Sequence, residues 1–258
     1  MSRRPPSTDV IDCSDLVIDR IGHSAPTRAV DGVTFALPPG ELICVAGPTG
    51  SGKSTLVAAL AGSTDPSVRI VGGRAEVCGV NVRRPGRRHR ELTYRAGYLP
   101  QGAGADLPPT LTVGDVIAEP ILIRDKRVNS KALAIRVATL LDEMHLPLGT
   151  AEKFPYELSA GMRQRVAVAR AFVLEPKVLI ADEPLANLDL EVRHVVFDAI
   201  TRRRKDHAMG ALLVTNDAAF IRELNAETLM LKSGHVVARG VGRDLLWVPN
   251  AEADSPGW

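Results

Sequence analysis

Gly47-Pro48-Thr49-Gly50-Ser51-Gly52-Lys53-Ser54 sets a glycine, four residues and then Gly-Lys-Ser in one run, with Thr55 directly after it. Glycines let successive backbone N–H groups curl inward around phosphate oxygens, and a helix starting at the end of such a loop adds its partial positive charge. In that geometry Lys53 reaches the β- and γ-phosphates of a nucleoside triphosphate, and the Ser54 hydroxyl ligates magnesium. The same run could be a plain glycine-rich turn, and its flanks decide the matter. Leu42 to Ala46 ahead of it reads as a short buried strand, and Lys53 to Leu60 is rich in helix formers.

A second run, Val178-Leu179-Ile180-Ala181-Asp182-Glu183, is an apolar strand ending in two acids. A buried strand delivers such carboxylates at its C-terminal edge, where open α/β sheets bind ligands. Asp182 would hold magnesium, directly or through water, and Glu183 would polarise an attacking water as general base. An apolar run ending in Asp-Glu is common in purely structural strands, and its weight comes from pairing with the phosphate loop. Together the two runs indicate a P-loop nucleoside triphosphatase.

Leu158-Ser159-Ala160-Gly161-Met162, followed by Arg163-Gln164-Arg165-Val166, lies ahead of the paired acids at the start of an expected helix. Here the sequence resembles the signature of the ABC ATPase family, and the likeness extends through nearly the whole chain. The resemblance implies that Ser159 and Gly161, with the helix N-terminus, bind the γ-phosphate of ATP held on the P-loop of a facing subunit. Two positions depart from the usual Leu-Ser-Gly-Gly-Gln: Ala160 is a small change, and Met162 loses an amide. A serine-capped helix alone would explain Ser159 but not its place in the order of motifs. By the same resemblance, Gln101 in Tyr98-Leu99-Pro100-Gln101 is the loop glutamine that touches magnesium or the attacking water. Asn187-Leu188-Asp189 matches the loop that bridges two subunits, with Asp189 as its acid.

Two further departures bear on catalysis. The family usually carries a histidine where this chain has Val214-Thr215-Asn216-Asp217. Asn216 can still donate to a γ-phosphate, but it carries no charge. An aromatic residue that stacks on adenine is usual near the start, where this chain offers Ile21 or His23.

The elements that must position these residues follow from the pattern. Short apolar runs at Leu16 to Ile18, Val33 to Leu37 and Leu42 to Ala46, separated by turn residues, predict strands. Further strands are expected at Val68 to Val71, Ala75 to Val80 and Ala96 to Leu99. Helical periodicity appears over Val113 to Ile123 and Ser130 to Met144, so that about 102–158 reads as a helical lobe. Alternation then resumes: a helix at Ala160 to Leu174, a strand at Val178 to Ala181, a helix at Leu190 to Lys205 and a strand at Ala211 to Thr215. A hairpin follows, Thr228 to Lys232 against His235 to Arg239 with Ser233-Gly234 at the turn. The expected fold is α/β: a P-loop core (about 9–101 and 159–247) with an antiparallel β subdomain at its N-terminal side and an inserted helical subdomain. Residues 248–258 are expected to be a loose tail.

Composition excludes several alternatives. The formal charge of +2 gives no global field toward polyanions. The arginine-rich runs Arg83 to Arg90 and Arg202 to Lys205 could grip a phosphate backbone, but only 4% of residues are aromatic and no stacking platform appears, so both read as solvated faces. Cys13, Cys44 and Cys78 lack metal-ligand spacing and read as ordinary thiols of a reducing compartment. No apolar run approaches a membrane span, and the basic, proline-containing start is not followed by one.

The resemblance implies ATP and magnesium as cofactors and two kinds of partner. One is a set of separate transmembrane permease subunits. The other is a second ATP-binding subunit, identical or homologous, in a head-to-tail dimer; nucleic acid is not expected. The implied location is cytoplasmic, peripheral on the inner face of the membrane through those subunits. Leu111 to Pro120 resembles the start of the helical lobe in ATPases of peptide and nickel importers. Two rivals are a nucleic-acid or ribosome-associated ABC ATPase, typically with two such domains or a long coiled-coil insertion, and a regulatory subunit that binds ATP but turns it over slowly. Asn216 is the feature that favours the latter.

Overall fold

The computed structural model describes residues 8–22, 25–241 and 244–247. His23 and the tail 248–258 lie outside the described residues. The chain opens with β1 (Ile11–Arg20), β2 (Thr27–Leu37) and β3 (Leu42–Ala46), then α1 (Lys53–Leu60). Next come β4 (Val68–Val77), β5 (Val80–Asn81), α2 (His89–Arg95) and β6 (Ala96–Leu99). The helical segment holds α3 (Val113–Leu122) and α4 (Ser130–Glu143) and leads into α5 (Ala160–Phe172). The chain continues through β7 (Val178–Asp182), α6 (Leu190–His207), β8 (Gly210–Val214), α7 (Ala218–Leu224), β9 (Glu227–Lys232), β10 (His235–Val241) and β11 (Asp244–Trp247).

The strands form an antiparallel sheet in the order β2-β1-β4-β5 and a larger one in the order β11-β10-β9-β3-β8-β7-β6. Within the larger sheet β9, β3, β8, β7 and β6 run parallel, while β10 and β11 extend it antiparallel. The α/β class with an antiparallel part is therefore as expected. Both faces of the parallel strands are covered, which explains their unbroken apolar character. Leu42 and Cys44 face a core shared with α3, α4, α5 and α6. Ile43 and Val45 face the opposite core, closed by α1 and the antiparallel sheet.

Three expectations need correction. The two strands expected at Val68 to Val71 and Ala75 to Val80 are one strand ending at Val77, because Cys78 and Gly79 both turn with positive φ (50° and 74°) before β5. The helices α2 and α7 and the edge strand β11 had no counterpart in the periodicity; α2 and α7 are seven residues each, too short to display it. The run Arg202 to Lys205 is not simply solvated: Arg203 is 8% exposed, pairs with Glu143 and lies over the Phe172 ring at 4.3 Å, and Arg204 Nε donates to Gly40 O. The thiols behave as expected. Burial pushes the pKa of Cys13 up, that of Cys44 to about 12 and that of Cys78 to about 11, so none is an activated nucleophile.

Candidate functional site

Register in the parallel sheet brings the motifs to one edge. Val45 of β3 and Asp182 of β7 both lie opposite Val214 of β8, so the chain leaves all three strands at the same level. Leu99 of β6 lies opposite Ala181, so Gln101 emerges, exposed to solvent, from the same edge of the sheet as Asp182. Gly47, Asn216, Glu183 and Gln101 thus converge from four neighbouring strands on the C-terminal edge, where parallel sheets bind ligands.

The loop after β3 requires glycine for steric reasons. At Gly47 (φ 144°) an added Cβ would stand 2.1 Å from Leu231 O, and at Gly52 (φ 102°) it would stand 2.0 Å from Ala29 O. β2 and the end of β9 thus press on the loop, while around Gly50 a Cβ would meet nothing within 4 Å. Pro48 and Thr49 share that exposed crown. Lys53, 8% exposed, folds back so that its ammonium donates to Gly47 O at 2.7 Å and Pro48 O at 2.9 Å. Thr55 is buried beneath the loop, and Ser51 Oγ is buried without a partner. An orphaned hydroxyl, an open crown of backbone and a buried cation form a cradle suited to a polyphosphate.

Asp182 is 2% exposed, and burial holds its pKa above the usual carboxylate value, opposed by a hydrogen bond with Ser54 and by the charge of Lys53. A buried carboxylate and a hydroxyl sharing one bond suit a hard cation such as magnesium, which would neutralise phosphate charge there. Glu183 has φ 53°, and its N–H donates to Val214 O at 3.0 Å. Burial first, and the charge of Asp182 second, raise its pKa, which suits a group that must accept a proton.

Asn216 Oδ1 accepts the N–H of Gly47 at 3.0 Å. The next residue, Asp217, caps α7 by accepting from Ala219 N and Phe220 N and pairs with Arg193 at 2.6 Å. Arg193 Nε also donates to Leu188 O at 3.2 Å, so one guanidinium joins the Asn187-Leu188-Asp189 loop to the end of β8.

Ser159 caps α5 by accepting from Met162 N at 3.2 Å. Gly161 lies against the loop after β7: a Cβ there would be 3.3 Å from Asn187 O. Asp189 is exposed at the head of α6. The N-terminal turn of α5, headed by Ser159, is therefore packed on the loop that follows the acidic pair. Ile21 is half-buried, with its N–H on Ser67 O.

Arg193, Asp217 and Gln164 were not singled out by the sequence. Gln164 carries a legible signal, a polar residue on the helix stripe shared with Ala167 and Val168, and it is 2% exposed. The pairing of Arg193 with Asp217 joins residues far apart in the chain and has no local signal.

The ABC transporter family model matches residues 30–186. The peptidoglycan transport ATP-binding protein YejF of Agrobacterium fabrum is 30% identical over 227 residues, covering 87% of this chain and 40% of that protein. The oligopeptide transport ATP-binding protein OppF of Salmonella typhimurium is 30% identical over 216 residues, covering 83% of this chain and 63% of that one. The chain thus spans less than two thirds of the length of either relative. Among solved structures, the dimeric bacterial ABC transporter cassette MJ0796 superposes with a TM-score of 0.82 at 22% identity, covering 90% of this chain and 99% of that one. No helix among the described residues is long and apolar enough to cross a membrane.

Proposed function

The chain belongs to the ABC transporter family of ATP-binding proteins, and from that premise we propose that it is the ATP-hydrolysing subunit of a transporter of peptide-type solutes. The convergence of Gly47, Lys53, Asp182, Glu183 and Asn216 on one sheet edge is the observation that carries this reading. The loop Gly47 to Ser54 would hold the triphosphate, with Thr55 behind it; Ser54, Asp182 and Gln101 would hold magnesium, which would supply charge neutralisation for phosphoryl transfer. Glu183 accepts a proton from the attacking water. Ser159 and Gly161 complete the site of a facing subunit, identical or homologous, and Asp189 lies at that junction. Closure on ATP and opening after cleavage pass through the helical lobe to separate membrane subunits, which also keep the chain at the membrane. The names of the relatives, which concern oligopeptide and peptidoglycan transport, support the solute class.

Asn216 supports a site that holds ATP well and turns it over slowly, since its amide does not titrate. The whole reading is tested by purifying the full chain from membranes. A stoichiometric membrane subunit and ATP turnover are expected; bound RNA or DNA without such a subunit would favour a nucleic-acid-associated ATPase instead.

A further inference from the structure

Gln164 is a buried residue of one segment of the site in contact with two others. It belongs to α5, the helix headed by Ser159, and its Nε2 donates to Pro184 O at 3.1 Å. Pro184 directly follows Glu183 and, as a proline, has no N–H, so its carbonyl is its sole polar backbone handle. On the other side Gly104, in the loop leading away from Gln101, approaches so closely that a Cβ there would stand 2.7 Å from Gln164 N and 3.0 Å from Gln164 Oε1. That distance leaves no room for any other residue at 104.

The turn that Gln164 holds is a strained one. Glu183 has φ 53°, a conformation that costs a non-glycine residue free energy and persists only where neighbours over-determine it. Its N–H is fixed by Val214 O, and its carbonyl accepts Ala186 N at 3.0 Å. The bond from Gln164 is the tie from this turn to α5. A serine or threonine could not span the distance from the helix, and an apolar side chain would leave Pro184 O buried and unpaired.

We propose that Gln164 is a positioning residue for Glu183, locking the Glu183–Pro184 turn to the signature helix so that the carboxylate is aimed only while that helix is in place. This rests on the reading of Glu183 as the proton acceptor. The consequence is that movement of α5 is felt at the acid through one side chain, with the Gln101 loop packed against the same amide.

The test is single-turnover cleavage of ATP in the presence of magnesium by the full-length chain, with ATP Kd measured in parallel. Gln164→Met keeps the length and removes the donor. Cleavage is expected to slow by about tenfold or more, as small misplacements of a catalytic group do, with Kd within about twofold of the parent. The decisive comparison is in the Glu183→Gln background, where Gln164→Met is expected to cause no further slowing. Gln164→Glu, of the same shape but without the donor, supplies the same readout should Gln164→Met fail to fold. Equal slowing in both backgrounds, parallel loss of ATP affinity, or normal cleavage by the Gln164 variants would overturn the proposal alone. Normal cleavage by Glu183→Gln itself would overturn the reading beneath it.

Discussion

The side-chain oxygen of Asn216 accepts the backbone N–H of Gly47 at 3.0 Å, tying the end of β8 to the first residue of the loop proposed to hold phosphate. With its oxygen engaged, the amide nitrogen of Asn216 is the end that can meet a phosphate, and neither end titrates near neutral pH. Asn216→His is expected to speed ATP cleavage by the assembled complex while changing ATP affinity little. A tenfold gain corresponds to roughly 1.4 kcal/mol of barrier. Single-turnover rates of both forms between pH ~6 and ~8, where a histidine titrates, check this, and a variant no faster at any pH would remove the claim of a weakened site.

Lys53 donates to Gly47 O and Pro48 O, so its charge is stored inside the loop it serves. Bonds from an ammonium to phosphate oxygens are worth about 1.5–3 kcal/mol each, so Lys53→Ala should weaken ATP binding by about a hundredfold or more. Isothermal titration of the purified chain with ATP measures this. Unchanged affinity would mean that the loop does not hold the triphosphate.

The legible part of this molecule was local. Gly47 to Ser54 announced both a strand before it and a helix after it, because the chemistry of the loop needs those flanks, and β3 and α1 lie there. The acids at the end of β7 were legible for the same reason. What the sequence withheld is what register creates. Val45 and Asp182 meet opposite Val214 only once the strand order β3-β8-β7 is set, and nothing along the chain specifies that order. Arg203 departs from the solvated face expected of four consecutive basic residues, because helical rotation turns one of them inward onto Glu143 and Phe172.

Asp217 is a cap and half of an ion pair at once. Its pKa lies below the ordinary carboxylate value, first through the N–H of Phe220 and further through Ala219 and Arg193. A depressed folded-state pKa contributes stability that is present above the unfolded value and lost as pH falls through the folded one. Asp217→Asn keeps a competent helix cap but loses the charge. It should cost about 0.5–1 kcal/mol near pH 7, the range for a partly exposed pair, and the gap should shrink as pH falls below the ordinary aspartate value toward the lower folded-state one. Thermal unfolding of both proteins across that range checks it; a gap that does not shrink in acid would contradict the assignment.

Glu183 carries the central claim, that this chain cleaves ATP. Its raised pKa follows from burial and from Asp182 beside it, and an amide in its place accepts a proton far less well. The direct measurement is single-turnover cleavage of ATP with magnesium by the parent chain and by Glu183→Gln, paired with gel filtration under the same conditions. The expected result is unchanged ATP affinity, cleavage slowed by about a hundredfold or more, and accumulation of an ATP-bound dimer. A Glu183→Gln protein that cleaves ATP at the parent rate and remains monomeric would contradict the account.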